Sequence, residues 1–292
     1  MIVSHILGGI GNQMFQYAAG RSLAIHLNDY YMLDLNDFDR YAHHNGYELK
    51  CVFDVPVEPT SPDELQSVLG LRRLSLVKKI LRRRQFSFLR GQAFIVEPHF
   101  NFWPKFFSLN SSSYLYGYWQ SEKYFKSIEK VIRDHFTFKK PLAGKNLIAA
   151  NQIDTINAIS LHVRRGDYVN DSKTSNIMSV CDSDYYGQAV SYMANKVSNP
   201  VFYVFSDDMD WVRRSVRIDY SCVYIDHNKG LDSYIDMQLM SLCKHHVIAN
   251  SSFSWWGAWL NPRAEKIVIA PRVWFRNGNN DSDLIPSEWV RL

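Results

Sequence analysis

MIVSHILGGIGNQMFQYAAGRSLAIHLNDYYMLDL, residues 1–35, sets the fold class. IVSHIL is a short apolar run of strand type, GGIGN is a glycine-dense loop, and QMFQYAAGRSLAIHL has helix-forming composition with its apolar residues about one face. YYMLDL reads as a second strand. A strand, tight loop, helix and strand in succession form a β-loop-α-β unit, which builds parallel sheet because the helix returns the chain to the edge from which it started. Beyond about residue 150 the alternation recurs, with INAISLHV, VFYVF, CVYI, HVIA and KIVIA as strand-type runs and helices starting near Ser183, Asp208, Leu231 and Phe253. Ligands of such sheets gather at the carboxyl ends of the strands, and the polar clusters HVRRGDY, SDDMD and NSSFSWW fall there.

The intervening chain is less regular. Prolines 56, 59, 62, 98 and 104 and scattered aromatics predict loops and short helices over residues 36–115. Ser121 reads as the cap of one helix over EKYFKSIEKVIRDHF, with Tyr124, Phe125, Ile128, Val131 and Ile132 sharing a face. KKPLAGKN, residues 139–146, has the composition of a connector, so the chain divides into domains of residues 1–150 and 151–292. A length of 292 residues suits two cores of ordinary size.

Composition narrows the functional classes. Hydrophobic residues at 46% and charged residues at 21% argue for a globular chain. Apolar runs fall short of a membrane span, and MIVSHIL lacks the layout of a cleavable signal, so a cytoplasmic location is expected. Cys51, Cys181, Cys222 and Cys243 are widely separated and read as buried free thiols rather than zinc ligands or disulfides. The net charge of +4 is uneven, because residues 71–90, LRRLSLVKKILRRRQFSFLR, carry eight Lys or Arg and no acid. With Leu71, Leu74, Val77 and Leu81 at helical spacing, this stretch reads as a basic amphipathic helix. Its charge suits a solvated face or contact with an anionic membrane. No nucleic-acid motif accompanies it, so no nucleic-acid partner is expected.

Four clusters carry chemistry. In GGIGN, Gly8, Gly9 and Gly11 form either a plain tight turn or a loop through which backbone approaches a ligand, and Asn12 and Gln13 offer amides at the helix start. The spacing is not GxGxxG, which argues against a dinucleotide. His162, Arg164, Arg165 and Asp167 follow an apolar strand, and alternation sends His162 and Arg164 to one side and Arg165 to the other. Two guanidinium groups there suit a diphosphate, since each planar fork matches phosphate oxygens; salt bridges to acids are the structural alternative. Asp207, Asp208 and Asp210 form a DDxD run that reads either as a Mg²⁺ or Mn²⁺ site or as helix-capping acid. Ser251, Ser252 and the Phe253 amide stand where a strand gives way to a helix, as an anion site or an N-cap, ahead of core-packing Trp255 and Trp256.

GGIGNQMFQYA, HVRRGDY, FSDD and IANSSFSWWGAWLN, in that order, resemble the motif set of bacterial α-1,2-fucosyltransferases of glycosyltransferase family 11, nearly end to end. The resemblance implies two Rossmann-like domains facing a cleft, the GT-B type, with residues 1–150 mainly on the acceptor side and residues 151–292 binding GDP-fucose. It implies inverting transfer of L-fucose to the 2-hydroxyl of a galactose-containing oligosaccharide, without a metal or other cofactor, in surface glycan synthesis such as O-antigen or capsule. Carried over, Arg164 serves the β-phosphate and His162 the guanine, with Arg165 beside them. Asp207 or Asp208 accepts from guanine donors, and Ser251, Ser252 and Phe253 hold phosphate. Gly11 and Asn12 join the donor set, while Asp167 and residues near Asn12 stand by position as candidates for the base. Two other classes compete: a nucleotide-sugar transferase with another donor and a metal, and a non-catalytic sugar-binding module. Donor profiling and saturable GDP binding discriminate them.

Overall fold

The structure, a computed structural model, describes residues 1–38 and 44–292, the side chains of Asn170 and Lys173 excepted. Two compact units divide the chain: Met1–Lys139 with Ser282–Leu284, and Lys140–Asp281 with Ile285–Leu292. The division falls at the start of the Lys-Pro-Gly connector. Residue 150, the boundary expected from sequence, lies inside the helix Gly144–Thr155, which packs in the second unit's core through Ala149 and Ile153.

In the first unit β1 (Ile2–His5), β2 (Tyr31–Asp34), β3 (Phe94–Val96) and β4 (Ser113–Tyr116) form a parallel sheet in the order β2-β1-β4-β3. The helix Ile10–His26 joins β1 to β2. Gly8 makes the entry turn at φ +91°, a backbone setting that favours glycine. The order reverses between β1 and β4, so the loops after these two strands are neighbours, and Gln120 donates to Asn12 Oδ1 at 2.7 Å.

In the second unit β5 (Asn157–Val163), β6 (Pro200–Ser206), β7 (Cys222–Ile225), β8 (His245–Val247), β9 (Val268–Ala270) and β10 (Val290–Arg291) form a six-stranded parallel sheet, ordered β10-β9-β8-β5-β6-β7. Its strands are apolar on both faces, as burial under two helical layers demands. Ile159, Leu161, Val163, Phe202 and Val204 meet Tyr186, Val190 and Met193 of the helix Ser183–Lys196. With the period of two, Ala158, Tyr203 and Phe205 pack the other face against Leu239 and Met240 of the helix Tyr234–Leu242. His162 lies opposite Phe205 in register and so shares that second face. The strand order reverses between β5 and β8, the crevice where α/β sheets receive ligands.

Two helices expected from periodicity are broken. Residues 71–90 form a 3₁₀ turn at Gly70–Arg73, a helix at Ser75–Leu81 and 3₁₀ turns at Arg84–Leu89, interrupted by extended backbone at Leu74 and Arg83. Leu81 is 1% exposed, but Leu71 at 82% and Leu74 at 48% face solvent rather than a core. Lys78 is buried instead, 2.7 Å from the Asp34 carboxylate, which also accepts from the Tyr114 hydroxyl at 2.7 Å. Burial would raise the Asp34 carboxyl; the Lys78 charge and these hydrogen bonds hold it below the usual range. Likewise 122–135 is two 3₁₀ turns, Glu122–Tyr124 and Lys126–Ile128, followed by the helix Glu129–His135, although Ser121 does cap its start by accepting the Lys123 N–H. Tyr124, Phe125 and Ile132 are buried as the pattern anticipates. The four cysteines are free thiols; Cys181 and Cys243 are buried, whereas Cys51 is exposed.

Candidate functional site

The register of the second sheet brings three loops to one edge. Val163 stands opposite Ser206 and Leu161 opposite Val247, so Arg164–Arg165, Asp207–Asp208 and Ile248–Ser251 leave the sheet side by side. At Gly166 the chain turns into the short helix Gly166–Asn170. Glycine is required by a close approach: a Cβ there would lie 2.6 Å from Asp207 Oδ2.

The two arginines diverge. Arg164 Nη2 donates to Asp167 Oδ1 at 2.7 Å, Nη1 lies 3.0 Å from Asp207 Oδ2, and the guanidinium sits 5.8 Å from the Tyr168 ring centre. Burial alone would lower its pKa, but the Asp207 and Asp167 carboxylates more than offset this and raise it, keeping the guanidinium charged. Arg165 runs the other way, over the Trp211 indole at 4.0 Å, with Nε donating to Asp208 Oδ2 at 3.3 Å. Its backbone N–H donates to Asp207 Oδ1 at 2.9 Å.

Asp207 therefore spends one oxygen on each arginine residue. Asp208 is the N-cap of the helix Met209–Ser215, accepting the Trp211 N–H at 3.0 Å, and its own N–H donates to Ser206 Oγ at 2.9 Å. The expectation that one of these carboxylates reads guanine meets a structure in which both hold arginine, the salt-bridge alternative for this cluster. Yet a guanidinium has five N–H donors, and two carboxylate oxygens do not exhaust those of Arg164. The acids orient the fork and leave donors for a phosphate. Among the described residues no group of three or more His, Cys, Asp or Glu side chains is placed to hold a metal ion.

His162 lies beneath, 6% exposed, its ring 5.8 Å from that of Phe253. Burial, helped by the Arg164 charge, pushes its pKa down to about 3, so the imidazole is neutral at physiological pH. Its Nδ1 is buried without a hydrogen-bond partner among the described residues. A neutral imidazole supplies one donor and one acceptor, which fits a polar heterocycle better than a phosphate.

Ser251 is the N-cap of the helix Ser252–Leu260, and its Oγ accepts the Phe253 N–H at 3.3 Å. The amide expected to hold phosphate is thus capped internally; Ser252, half-buried, opens the helix. Trp255 and Trp256 are fully buried, as core packing anticipates. Asn250 locks the loop: its Nδ2 donates to the Ser179 and Trp274 carbonyls, and its own carbonyl accepts from the Tyr168 hydroxyl at 2.9 Å. That last bond ties the loop after β8 to the helix after β5.

Gly11 and Asn12 belong to the first unit. Gly11 is buried in the first helical turn, and Asn12 packs against Gly8 and receives Gln120. Gln13 is internal bracing, donating to Gly8 O and Gly46 O at 2.8 Å each and accepting the Glu48 N–H at 2.9 Å.

Sequence reasoning did not single out Trp211 and Tyr168, which pack against the two arginines, or the acid Asp236 on a neighbouring helix. Asp236 sits in the first turn of the helix Tyr234–Leu242, which packs on the helix bearing Phe253. It accepts from Asn228 at 2.7 Å, and burial pushes its pKa up to about 7. An acid among apolar residues in a helical pattern, YIDMQLM, was its only sequence signal.

Comparison with known proteins identifies the family. The profile of glycosyl transferase family 11 matches residues 93–292. The chain is 34% identical to an alpha-1,2-colitosyltransferase of Escherichia coli, covering 100% of this chain and 99% of that protein. It is 32% identical to the O-antigen biosynthesis glycosyltransferase WbnK of Escherichia coli over 99% of each. A galactoside 2-alpha-L-fucosyltransferase of Bos taurus is 32% identical over a shorter region, 35% of this chain and 28% of that protein. Among solved structures, the NodZ alpha-1,6-fucosyltransferase crystal soaked with GDP-fucose aligns with a TM-score of 0.52 at 13% identity, over 91% of this chain and 94% of that one. Fucosyltransferase NodZ from Bradyrhizobium gives 0.51 at 13% identity, over 87% and 90%. These likenesses show the fold, two parallel-sheet α/β units of the GT-B type. With four motifs in order and full-length relatives, the chain belongs to glycosyl transferase family 11 and is a glycosyltransferase.

Proposed function

We propose that the protein transfers L-fucose from GDP-fucose, with inversion, to the 2-hydroxyl of a galactose-type acceptor in surface glycan synthesis. The observation that carries this reading is the pair of arginines at the β5 edge, oriented by Asp167, Asp207 and Asp208 above a buried neutral histidine. The acceptor oxygen attacks C1 of the sugar from the face opposite the diphosphate. The C1–O bond breaks with its electron pair going to the β-phosphate oxygen, and the acceptor hydroxyl gives up its proton to solvent water. Negative charge develops on the departing phosphate, and Arg164, fixed before the reaction, stabilises it without reorganisation. Arg165, stacked on Trp211, adds a second positive charge. These two charges do the work a divalent cation does elsewhere. Asp167, bonded to Arg164, acts here as a positioning group. His162 serves guanine, and Asp236, on the helix packed against Phe253, supplies the carboxylate for the guanine N1 and N2 donors that Asp207 and Asp208 have committed to arginine.

The colitosyltransferase relative favours one second reading, in which the donor is the 3-deoxy counterpart of GDP-fucose. A site that hydrogen-bonds a hydroxyl rejects the deoxy analogue by roughly 10⁴. Competition between GDP-fucose and its 3-deoxy counterpart on a panel of β-galactosides, with the product linkage read by NMR, decides the donor. Turnover only with UDP-sugars would refute both readings.

A further inference from the structure

Residues 71–89 expose large apolar side chains that the fold leaves uncovered. Leu71 is 82% exposed, Leu76 75% and Phe88 78%, with Leu74, Ile80 and Leu89 between 43% and 48%. These are six of the eighteen exposed large apolar side chains among the described residues, concentrated where chance would place one or two. The arrangement follows from a helix that is apolar on two sides, with Leu81 and Val77 packed on the core. In Ser75–Leu81 the inward side carries Val77, Leu81 and Lys78, the last paired with Asp34, so Leu76 and Ile80, one turn apart, face out with Lys79 beside them. Arg72 Nε donates to Leu89 O at 3.1 Å and Arg90 Nε to Leu81 O at 2.8 Å, so both ends of the stretch are stapled into one surface.

Charge selects the occupant. Lys79, Arg83 and Arg84 are exposed among these apolar groups, and the sequence holds no acid between Glu64 and Glu97. A second copy of the same surface would set like charges face to face. A lipid bilayer with anionic headgroups accepts both features, since apolar tips enter the acyl boundary while basic side chains meet phosphates. Among the described residues no helix is long and apolar enough to cross a membrane.

We propose that residues 71–89 dock the protein on an anionic lipid surface, with Leu71, Leu76 and Phe88 inserted and Lys79, Arg83 and Arg84 on lipid phosphates. The docking is independent of which donor the enzyme uses. Co-sedimentation of the whole protein with phosphatidylcholine vesicles, and with vesicles carrying about a third phosphatidylglycerol, tests it. Partitioning onto the anionic vesicles is expected to be at least about tenfold stronger and to fall steeply as salt rises. Combining Lys79→Glu, Arg83→Glu and Arg84→Glu is expected to cost about a hundredfold or more. Leu76→Ser with Phe88→Ser is expected to remove what binding survives high salt, while both variants keep wild-type melting and turnover on a soluble acceptor. Equal partitioning onto both vesicle types, binding to neither, or anionic binding unchanged in the charge variant would each overturn the proposal. So would a dimer, seen by sedimentation equilibrium, that the Leu76→Ser and Phe88→Ser pair dissociates.

Discussion

Replacing Arg164 by lysine separates catalysis from architecture. The guanidinium bridges Asp167 at 2.7 Å and Asp207 at 3.0 Å, with all three side chains between 26% and 36% exposed. An ammonium keeps the charge and one carboxylate contact but loses the planar fork. A lost charge-assisted bond costs about 1.5–3 kcal/mol when buried, and solvent screening at this exposure reduces that to about 1 kcal/mol. In a two-unit chain of this size such a loss moves the melting temperature by roughly 2–4 °C. Turnover responds on another scale. Removing one preorganised donor from a developing negative charge costs about 3 kcal/mol, or roughly 10² to 10³ in rate. Arg164→Lys is therefore expected to melt within a few degrees of wild type and to turn over at least about a hundredfold more slowly, with weaker GDP binding. Single-turnover rates, GDP titration calorimetry and thermal melts on one preparation give the three numbers. A folded lysine variant with near-wild-type turnover would refute the electrostatic assignment. One that unfolds would make the arginine a structural brace.

Other consequences of the site are as direct. Gly166→Ala drives a methyl to within 2.6 Å of Asp207 Oδ2, so Asp207 must release Arg164 or Arg165, and turnover should fall about tenfold with a small loss of melting temperature; unchanged turnover would show that Asp207 does not orient the pair. In the proposed mechanism arginine supplies the positive charge, so EDTA should leave the rate unchanged, and loss of turnover restored by Mn²⁺ would make the acid run a metal site. Asp236 has its pKa raised from about 3.8 to about 7, so its contribution to stability is complete below the unfolded value and is lost as pH rises through 7. The difference in melting temperature between Asp236→Asn and wild type should thus move in favour of the asparagine variant from pH 6 to pH 8, approaching a free-energy change of about 1–2 kcal/mol over that window. GDP affinity of the wild type should rise over the same window and lose that dependence in Asp236→Asn; parallel pH profiles would remove Asp236 from the guanine site.

The sheet edge was legible because strand-type runs end abruptly in charge. LHVRRGDY and VFSDD each turn polar at the position after the last buried strand residue, and parallel register does the rest. What the sequence could not divide was the use of each carboxylate. Asp207 and Asp208 are adjacent, yet one faces the arginines alone and the other also caps a helix, a difference set by the tertiary position of Arg165 and Trp211. Asp236 was illegible for a related reason: its chemistry comes from burial, and burial at a helix start depends on neighbours far away in sequence.

The basic stretch shows the same limit in another form, because the apolar period held for Val77 and Leu81, which pack on the core, and failed for Leu71 and Leu74, which lie outside the helix Ser75–Leu81. Helical spacing of leucines states that residues share a side; it does not state which side the fold covers. That the covered side also takes in Lys78 follows from Asp34, 44 residues earlier, a carboxylate fully buried at the end of β2 and beside Tyr114. Leaving a buried carboxylate unpaired costs more than exposing two or three leucine side chains, whose transfer is worth about 1.5–3 kcal/mol each only when burial would be complete. Lys78 therefore turns inward beside Val77 and Leu81, and Leu76 and Ile80, apolar residues outside the predicted stripe, are left on the surface.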